Sequence, residues 1–550
     1  RAADYSPVLG RFTLVANYFR DTEYVGQSNR YQADQYRSPY LRQEVAAENP
    51  DPISRWVEYY RRRASADAIQ RINTLAVLLG HLPGEETGEN PSLSQATQRL
   101  AEALPRQDGE PHQGYLVVNP LSFTRRIDVD VSRLSQLPRT GGPVWTSAQT
   151  GDQKRAIVDV PPMGFVWLGD DLRAAAPPEA QHALSPNPPP KSPKKLGWWP
   201  SKRSGDEQAQ DPPLADENVL RNDYFEVKLD PVTGAIRSIQ DYAARGAMLA
   251  QQVALRQPAS ARPPEGWGGE DGESQYTVMA ADEISVTSPG PIVGEIVTRG
   301  RLLDRRGTLM AGFRQTIRAE RGSRILDLEI ELDVQRQPGP DPWDSYYCSR
   351  FAWGDATADL VRGVHSISLP SETPQIEAPY FIEIRTEKKR MAILTGGLPY
   401  HRRFGLRRLD TLLVVGGERA RSFRLGIGIG LKYPMAAALD YLSPATVWCE
   451  NAPPPPARSA WLFHVSSRNV VTTHLEPLFA DGRATGFRAR LSETEGRSTR
   501  VTLRSFRPVA SARTTDFLGE KPEEIAVSGD SLAVDVEAHG WVQIEAQFAG

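Results

Sequence analysis

Few stretches of this 550-residue chain carry residue types at a spacing that chemistry demands. The nearest thing to a row of metal ligands is Asp327, Glu329, Glu331 and Asp333, carboxylates at every second position. That spacing puts them on one face of a strand, with Leu326, Leu328, Ile330, Leu332 and Val334 on the other. Such a row reads as a solvated face rather than a metal site. Gly426-Ile427-Gly428-Ile429-Gly430 has the glycine density of a phosphate loop. No helix pattern follows in the context that nucleotide binding requires, and Pro434 interrupts. His464 and His474 are the closest histidine pair, too far apart in sequence to imply a zinc clamp. Cys348 and Cys449 suggest neither a disulfide framework nor a thiolate metal site. P-loop, dinucleotide-binding, HExxH, CxxC and GxSxG motifs do not occur. The basic run Arg61-Arg62-Arg63 reads as a solvent-facing helix patch. Trp198-Trp199 reads as an aromatic pair docked on a neighbouring surface in preference to a sugar platform.

Composition narrows the partners. Lys and Arg number 65 against 68 Asp and Glu, a net charge of −3, which argues against nucleic acid or an anionic membrane as partner. No apolar run approaches the length of a membrane span. The opening, RAADYSPVLGRFTLVANYF, reads as the middle of a longer polypeptide, so the chain is expected to be a fragment or processed product.

The elements that would position functional groups are mostly strands. Phe313 to Val334 reads as two long strands joined at Arg321-Gly322-Ser323, a ribbon that needs a large antiparallel sheet to cover its apolar face. Residues 1–50 read as irregular, the tail of an upstream catalytic domain. Residues 51–110 form a helical segment: Asp51 caps a helix whose first turn holds Pro52 and whose apolar positions run from Ile53 to Leu79, with Gly80 as its stop. A second helix spans Ser92 to Leu104. Residues 114–170 read as a small antiparallel β domain, 171–216 as a disordered Pro/Lys-rich linker, 217–450 as a large β-sandwich, and 457–550 as a C-terminal β region.

Three stretches, LVVNPLSFTRRIDVDV, LRNDYFEVKLDPVTGAIRSI and GFRQTIRAERGSRILDLEIELD, resemble in order and separation the C-terminal half of the glycoside hydrolase family 38 α-mannosidases. The resemblance extends weakly to Tyr380–Gly397 and Gly486–Glu545. It implies a mainly β fold, a large antiparallel sandwich of the galactose-mutarotase-like supersandwich kind, with smaller β domains and an N-terminal helical segment. It also implies a retaining glycosidase acting on α-mannosides, in which two carboxyl groups flank the scissile bond. In that family a zinc ion and the nucleophile belong to an N-terminal catalytic domain. No match to its zinc or nucleophile motifs occurs in this chain, so neither catalytic nor metal-binding residues are expected here, and the chain alone is expected to be inactive. Its partners would be the α-mannoside substrate and its own upstream catalytic domain. The family's β half lends a Tyr and an Arg to the rim of the sugar pocket. Tyr276, in Glu273-Ser274-Gln275-Tyr276, and Arg362, following Phe351-Ala352-Trp353-Gly354-Asp355, are the positions that match. A stand-alone carbohydrate-binding or structural β protein is the alternative, with Trp267, Trp343 and Trp353 as stacking platforms. A different glycosidase family sharing such a sandwich is a third.

Overall fold

The computed structural model describes residues 39–80, 91–170, 213–244, 246, 248–257 and 276–549. The readings of Trp198-Trp199, Trp267, residues 1–38 and the linker up to residue 212 lie outside the described residues.

The ribbon forms as its alternation requires. Leu309–Glu320 pairs antiparallel with Ile325–Val334, with Ile317 opposite Leu328 and Arg318 opposite Asp327. Gly322 turns the chain with φ of +70°, a conformation that favours glycine. Leu326, Leu328, Ile330 and Leu332 are buried, each contributing about 1.5–3 kcal/mol. The acidic row faces outward and meets arginines on both neighbouring strands. Arg314 donates to Glu331 at 2.7 Å, Arg318 to Glu329 at 3.3 Å, and Arg424 to Asp327 at 3.0 Å. It is a cross-strand charge ladder.

Two nine-stranded antiparallel sheets face each other. The ribbon sheet runs, in spatial order, Val278–Pro289, Val293–Leu303, Leu309–Glu320, Ile325–Val334, Ser422–Ile429, Arg390–Leu394, Phe381–Arg385, Asp359–Val364 and Ile367–Ser371. The facing sheet runs Gln375–Glu377, Tyr400–Phe404, Arg408–Val414, Tyr346–Ala352, Ala250–Arg256, Ile236–Asp241, Phe225–Leu229, Val219–Arg221 and Ala215–Asp216. Ile317, Leu328 and Ile427 from one, and Val227, Val253 and Phe351 from the other, share one core. The mainly β, large-sandwich expectation is met.

Two local readings are corrected. Asp51 does not cap the long helix, Ser54–Leu78. Its φ is +56°, and its carboxylate accepts from Arg419. The first helical amides go instead to Glu418, whose Oε2 accepts from Ile53 N at 2.9 Å and Ser54 N at 3.0 Å. A carboxylate beside a helix N-terminus satisfies orphan N–H groups wherever it comes from in sequence. A helix also does follow the glycine-rich stretch: Pro434–Leu442, opening on the proline. Gly426 and Gly428 are nonetheless strand residues. A Cβ on Gly428 would lie 2.2 Å from Leu431 Cδ1, so close packing explains that glycine.

The long helix joins two cores. Trp56 and Val57 pack against the large sandwich, whereas Ile72, Leu75 and Ala76 pack against a C-terminal module of four- and five-stranded sheets. A further sheet draws on distant segments, with His112–Asn119 pairing both Gly164–Gly169 and Thr446–Ala452.

Candidate functional site

Strand register gathers the charged side chains that form the candidate site. Residues directly opposite in an antiparallel pair share a face. Arg350 lies opposite Asp410, Asp410 opposite Arg402, and Tyr346 opposite Arg256. Tyr276 then bridges Arg256 beyond the end of the Ile236–Asp241 strand. The alternate residues face the sandwich core. Gln251 donates to Gln315 Oε1 and Ser349 Oγ, each at 3.1 Å, and the Tyr347 hydroxyl donates to Met310 O at 2.8 Å. The Tyr276 group therefore lies on the face of this sheet turned away from the ribbon sheet.

Asp410 is the hub. It is fully buried, and its Oδ2 accepts from Tyr276 Oη at 2.5 Å and Tyr346 Oη at 2.9 Å. Arg350 Nε lies 3.7 Å from Oδ1. Burial pushes the Asp410 carboxyl up, opposed chiefly by Arg350. Burial and then the Asp410 charge drive the Tyr276 phenol far above its ordinary range, keeping it a proton donor. The Arg350 guanidinium stacks 3.6 Å from the centre of the Tyr276 ring, and Phe404 meets that ring edge-on at 5.9 Å. Arg256 Nη2 donates to Asp344 at 2.8 Å, and Arg402 Nη1 lies 3.7 Å from the same oxygen.

Hydrogen-bonding capacity is left over. Arg256 and Arg350 are only 4% and 5% exposed, yet among the described residues Arg256 Nε, Arg256 Nη1 and Arg350 Nη2 have no hydrogen-bond partner, nor has Asp410 Oδ1. Each such buried group costs about 1–3 kcal/mol until it finds one. Unused donors beside an unused acceptor suit a hydroxyl-bearing ligand, which accepts and donates at the same oxygen. The Tyr276 hydroxyl itself is already committed to Asp410.

Arg362 is half-buried on the Asp359–Val364 strand, opposite Leu369 and Ile382 in the ribbon sheet. The two residues singled out from the sequence thus belong to different faces of the sandwich architecture: Tyr276 beside the facing sheet, Arg362 within the other. Arg256, Tyr346, Arg350 and Asp410 went unremarked. Their signal was a charge inside apolar strands, Arg350 in YYCSRFA and Asp410 in RLDTLLV, where burial obliges a partner. His401 was missed too. It is buried between Thr411 Oγ1 at 2.9 Å and Ala378 O at 3.1 Å, and burial lowers its pKa to about 4.

Trp343 and Trp353 are buried and form no platform. Phe517 and Trp541, 63% and 47% exposed, are open aromatic rings on the C-terminal module, with Arg490 stacked on both. Arg61, Arg62 and Arg63 face solvent as read. Both cysteines are free. Among the described residues, no helix is long and apolar enough to cross a membrane.

No family model and no curated protein matches the chain. Solved structures do. A glycosyl hydrolase family 38 protein from Enterococcus faecalis superimposes with a TM-score of 0.57 at 11% identity, covering 92% of this chain and 71% of its own. An α-mannosidase from Enterococcus faecalis V583 does so with a TM-score of 0.54 at 11% identity, covering 92% of this chain and 69% of its own. The chain has the fold of the matched part of those proteins.

Proposed function

We propose that this chain is the β-sandwich part of a retaining, zinc-dependent α-mannosidase-type glycoside hydrolase, completing the pocket for an α-mannoside. The observation that carries this reading is the length of the match. Structures described as an α-mannosidase and a family 38 glycosyl hydrolase align over 92% of the chain. The buried donors and acceptor around Asp410 add support, because sugar hydroxyls can use both kinds of group.

In this reading Tyr276 and Arg362 are residues of the rim contributed from different sheets of the sandwich. Tyr276 acts mainly by fixing Arg350 and Asp410, and Arg362 by the planar fork of donors that suits paired hydroxyls. The zinc, the nucleophile and the general acid belong to a catalytic domain upstream of this chain. Among the described residues no three His, Cys, Asp or Glu side chains are grouped to hold a metal.

The test is hydrolysis of an aryl α-mannoside by the product of the complete gene and by this chain alone. Turnover is expected from the complete product, abolished by zinc chelation, and none from the chain. Arg350→Gln and Arg362→Gln in the complete product are expected to raise KM. Substantial turnover by the chain alone, or a complete product inert toward α-mannosides, overturns the reading.

The alternative, a stand-alone carbohydrate-binding or structural β protein, is favoured by one observation, the exposed Phe517 and Trp541. Glycan binding by this chain alone, lost in Trp541→Ala, would support it.

A further inference from the structure

Charges do not balance where the C-terminal module meets the large sandwich. The loop after the Arg483–Glu493 strand enters that seam. Thr494 is fully buried, and its carbonyl accepts from Ser368 N at 2.9 Å, on the outermost strand of the ribbon sheet. Glu493 holds the loop in shape. Its carboxylate accepts from the amides of Glu495 at 2.8 Å, Gly496 at 2.7 Å and His539 at 3.0 Å, and from Asn469 Nδ2 at 2.9 Å.

Glu495 is the group without a settled place. Its Oε1 is buried and, among the described residues, has no hydrogen-bond partner. The groups facing it are Glu383 and Arg390 from the ribbon sheet, the backbone amide of Met435 from the Pro434–Leu442 helix, and Glu493 from its own module. Arg390 is already engaged, its Nε donating to the buried Glu383 at 2.5 Å. Two carboxyl groups therefore compete for one guanidinium at a partly buried seam, with the Arg390 side chain 29% exposed.

We propose that this seam is a proton-operated clamp, in which Glu495 docks in its protonated form and its ionisation loosens the C-terminal module from the large sandwich. Burial first, and Glu383 second, raise the Glu495 carboxyl from 4.5 to about 7. A carboxyl raised in the closed state binds a proton on closing. Closing is thus fully favoured below the ordinary carboxyl pKa, weakens about tenfold per pH unit up to the raised value, and is level above it. Burial first, then Asp128 and Asp327, also raise Glu320 to about 7 against the pull of Arg155 and Arg424. A readout local to the Glu495 seam is therefore required.

Amide hydrogen exchange of the intact chain between pH 5 and 8, corrected for intrinsic rates, supplies it. In the wild type, protection around Ser368 is expected to fall about tenfold per pH unit between 5 and 7 and then level off, while Val470–Ala480 within the module stays unchanged. In Glu495→Gln the fall around Ser368 is expected to disappear. In Glu383→Gln, where Arg390 is released to pair with Glu495, the fall is expected to move to lower pH. Wild-type pH dependence in Glu495→Gln, or an unmoved window in Glu383→Gln, overturns the proposal.

Discussion

Tyr276 donates its hydroxyl proton to Asp410 at 2.5 Å across 134 residues of sequence. The bond determines what each can do. Asp410 gains a donor that keeps its proton, and Tyr276 is held flat beneath the Arg350 guanidinium. A packed tyrosine and a site tyrosine are the same residue here, because the packing orders the charged groups beside it.

Removing that hydroxyl while keeping the ring tests the relationship. Tyr276→Phe is expected to lower stability by about 1.5–3 kcal/mol, the range for a hydrogen bond to a charged group. Asp410→Ala, which strands Arg350 and two phenols, is expected to cost about 3–5 kcal/mol. Urea denaturation measures both, and a Tyr276→Phe protein as stable as the wild type would remove Asp410 from its place as hub.

Glu418 caps the long helix from 365 residues away, through Ile53 N. Glu418→Ala is expected to cost about 1–2 kcal/mol, as for loss of an N-cap, and to speed amide exchange at Ile53 and Ser54. Asp51→Ala, which breaks the pair with the largely exposed Arg419 and the bond from the Arg419 amide, is expected to cost less than about 1 kcal/mol. The reverse order would restore Asp51 as the cap.

His401 gives the chain an acid limit. Its pKa is about 4 in the folded protein against an ordinary 6.5, so the unfolded chain takes up a proton first. Its contribution to stability is whole above 6.5, is lost as pH falls from 6.5 to about 4, and amounts to roughly 3 kcal/mol over that window. His401→Gln is expected to flatten the thermal melting profile over the same range. A wild-type profile no steeper than the variant's would count against it.

The ribbon's two faces are expected to respond very differently. Leu328→Ala removes a fully buried side chain and is expected to cost about 2–5 kcal/mol. Glu331→Gln, in an ion pair whose two side chains are 42% and 43% exposed, is expected to change stability by under about 1 kcal/mol. Equilibrium denaturation separates them. An equal loss in both would mean that the outer charge ladder holds the sheet as firmly as its core.

Local pattern alone determined the ribbon, the long helix and the mainly β character of the chain, because side-chain periods of two and 3.6 are properties of neighbouring residues. The turn at Gly322 and the solvent-facing Arg61 to Arg63 were legible for the same reason. Tertiary structure decided everything that joins distant segments. Asp51 had the right chemistry and position to cap a helix, but Glu418 reached the amides first. Pro434 looked like a breaker and is a helix start. Tyr276 was picked out by resemblance, yet the groups left open for a ligand are on Arg256, Arg350 and Asp410, which only strand register brings side by side. A buried charge announces in sequence that it must have a partner. Which partner it has is set by how nine strands align, and no short stretch of the chain contains that information.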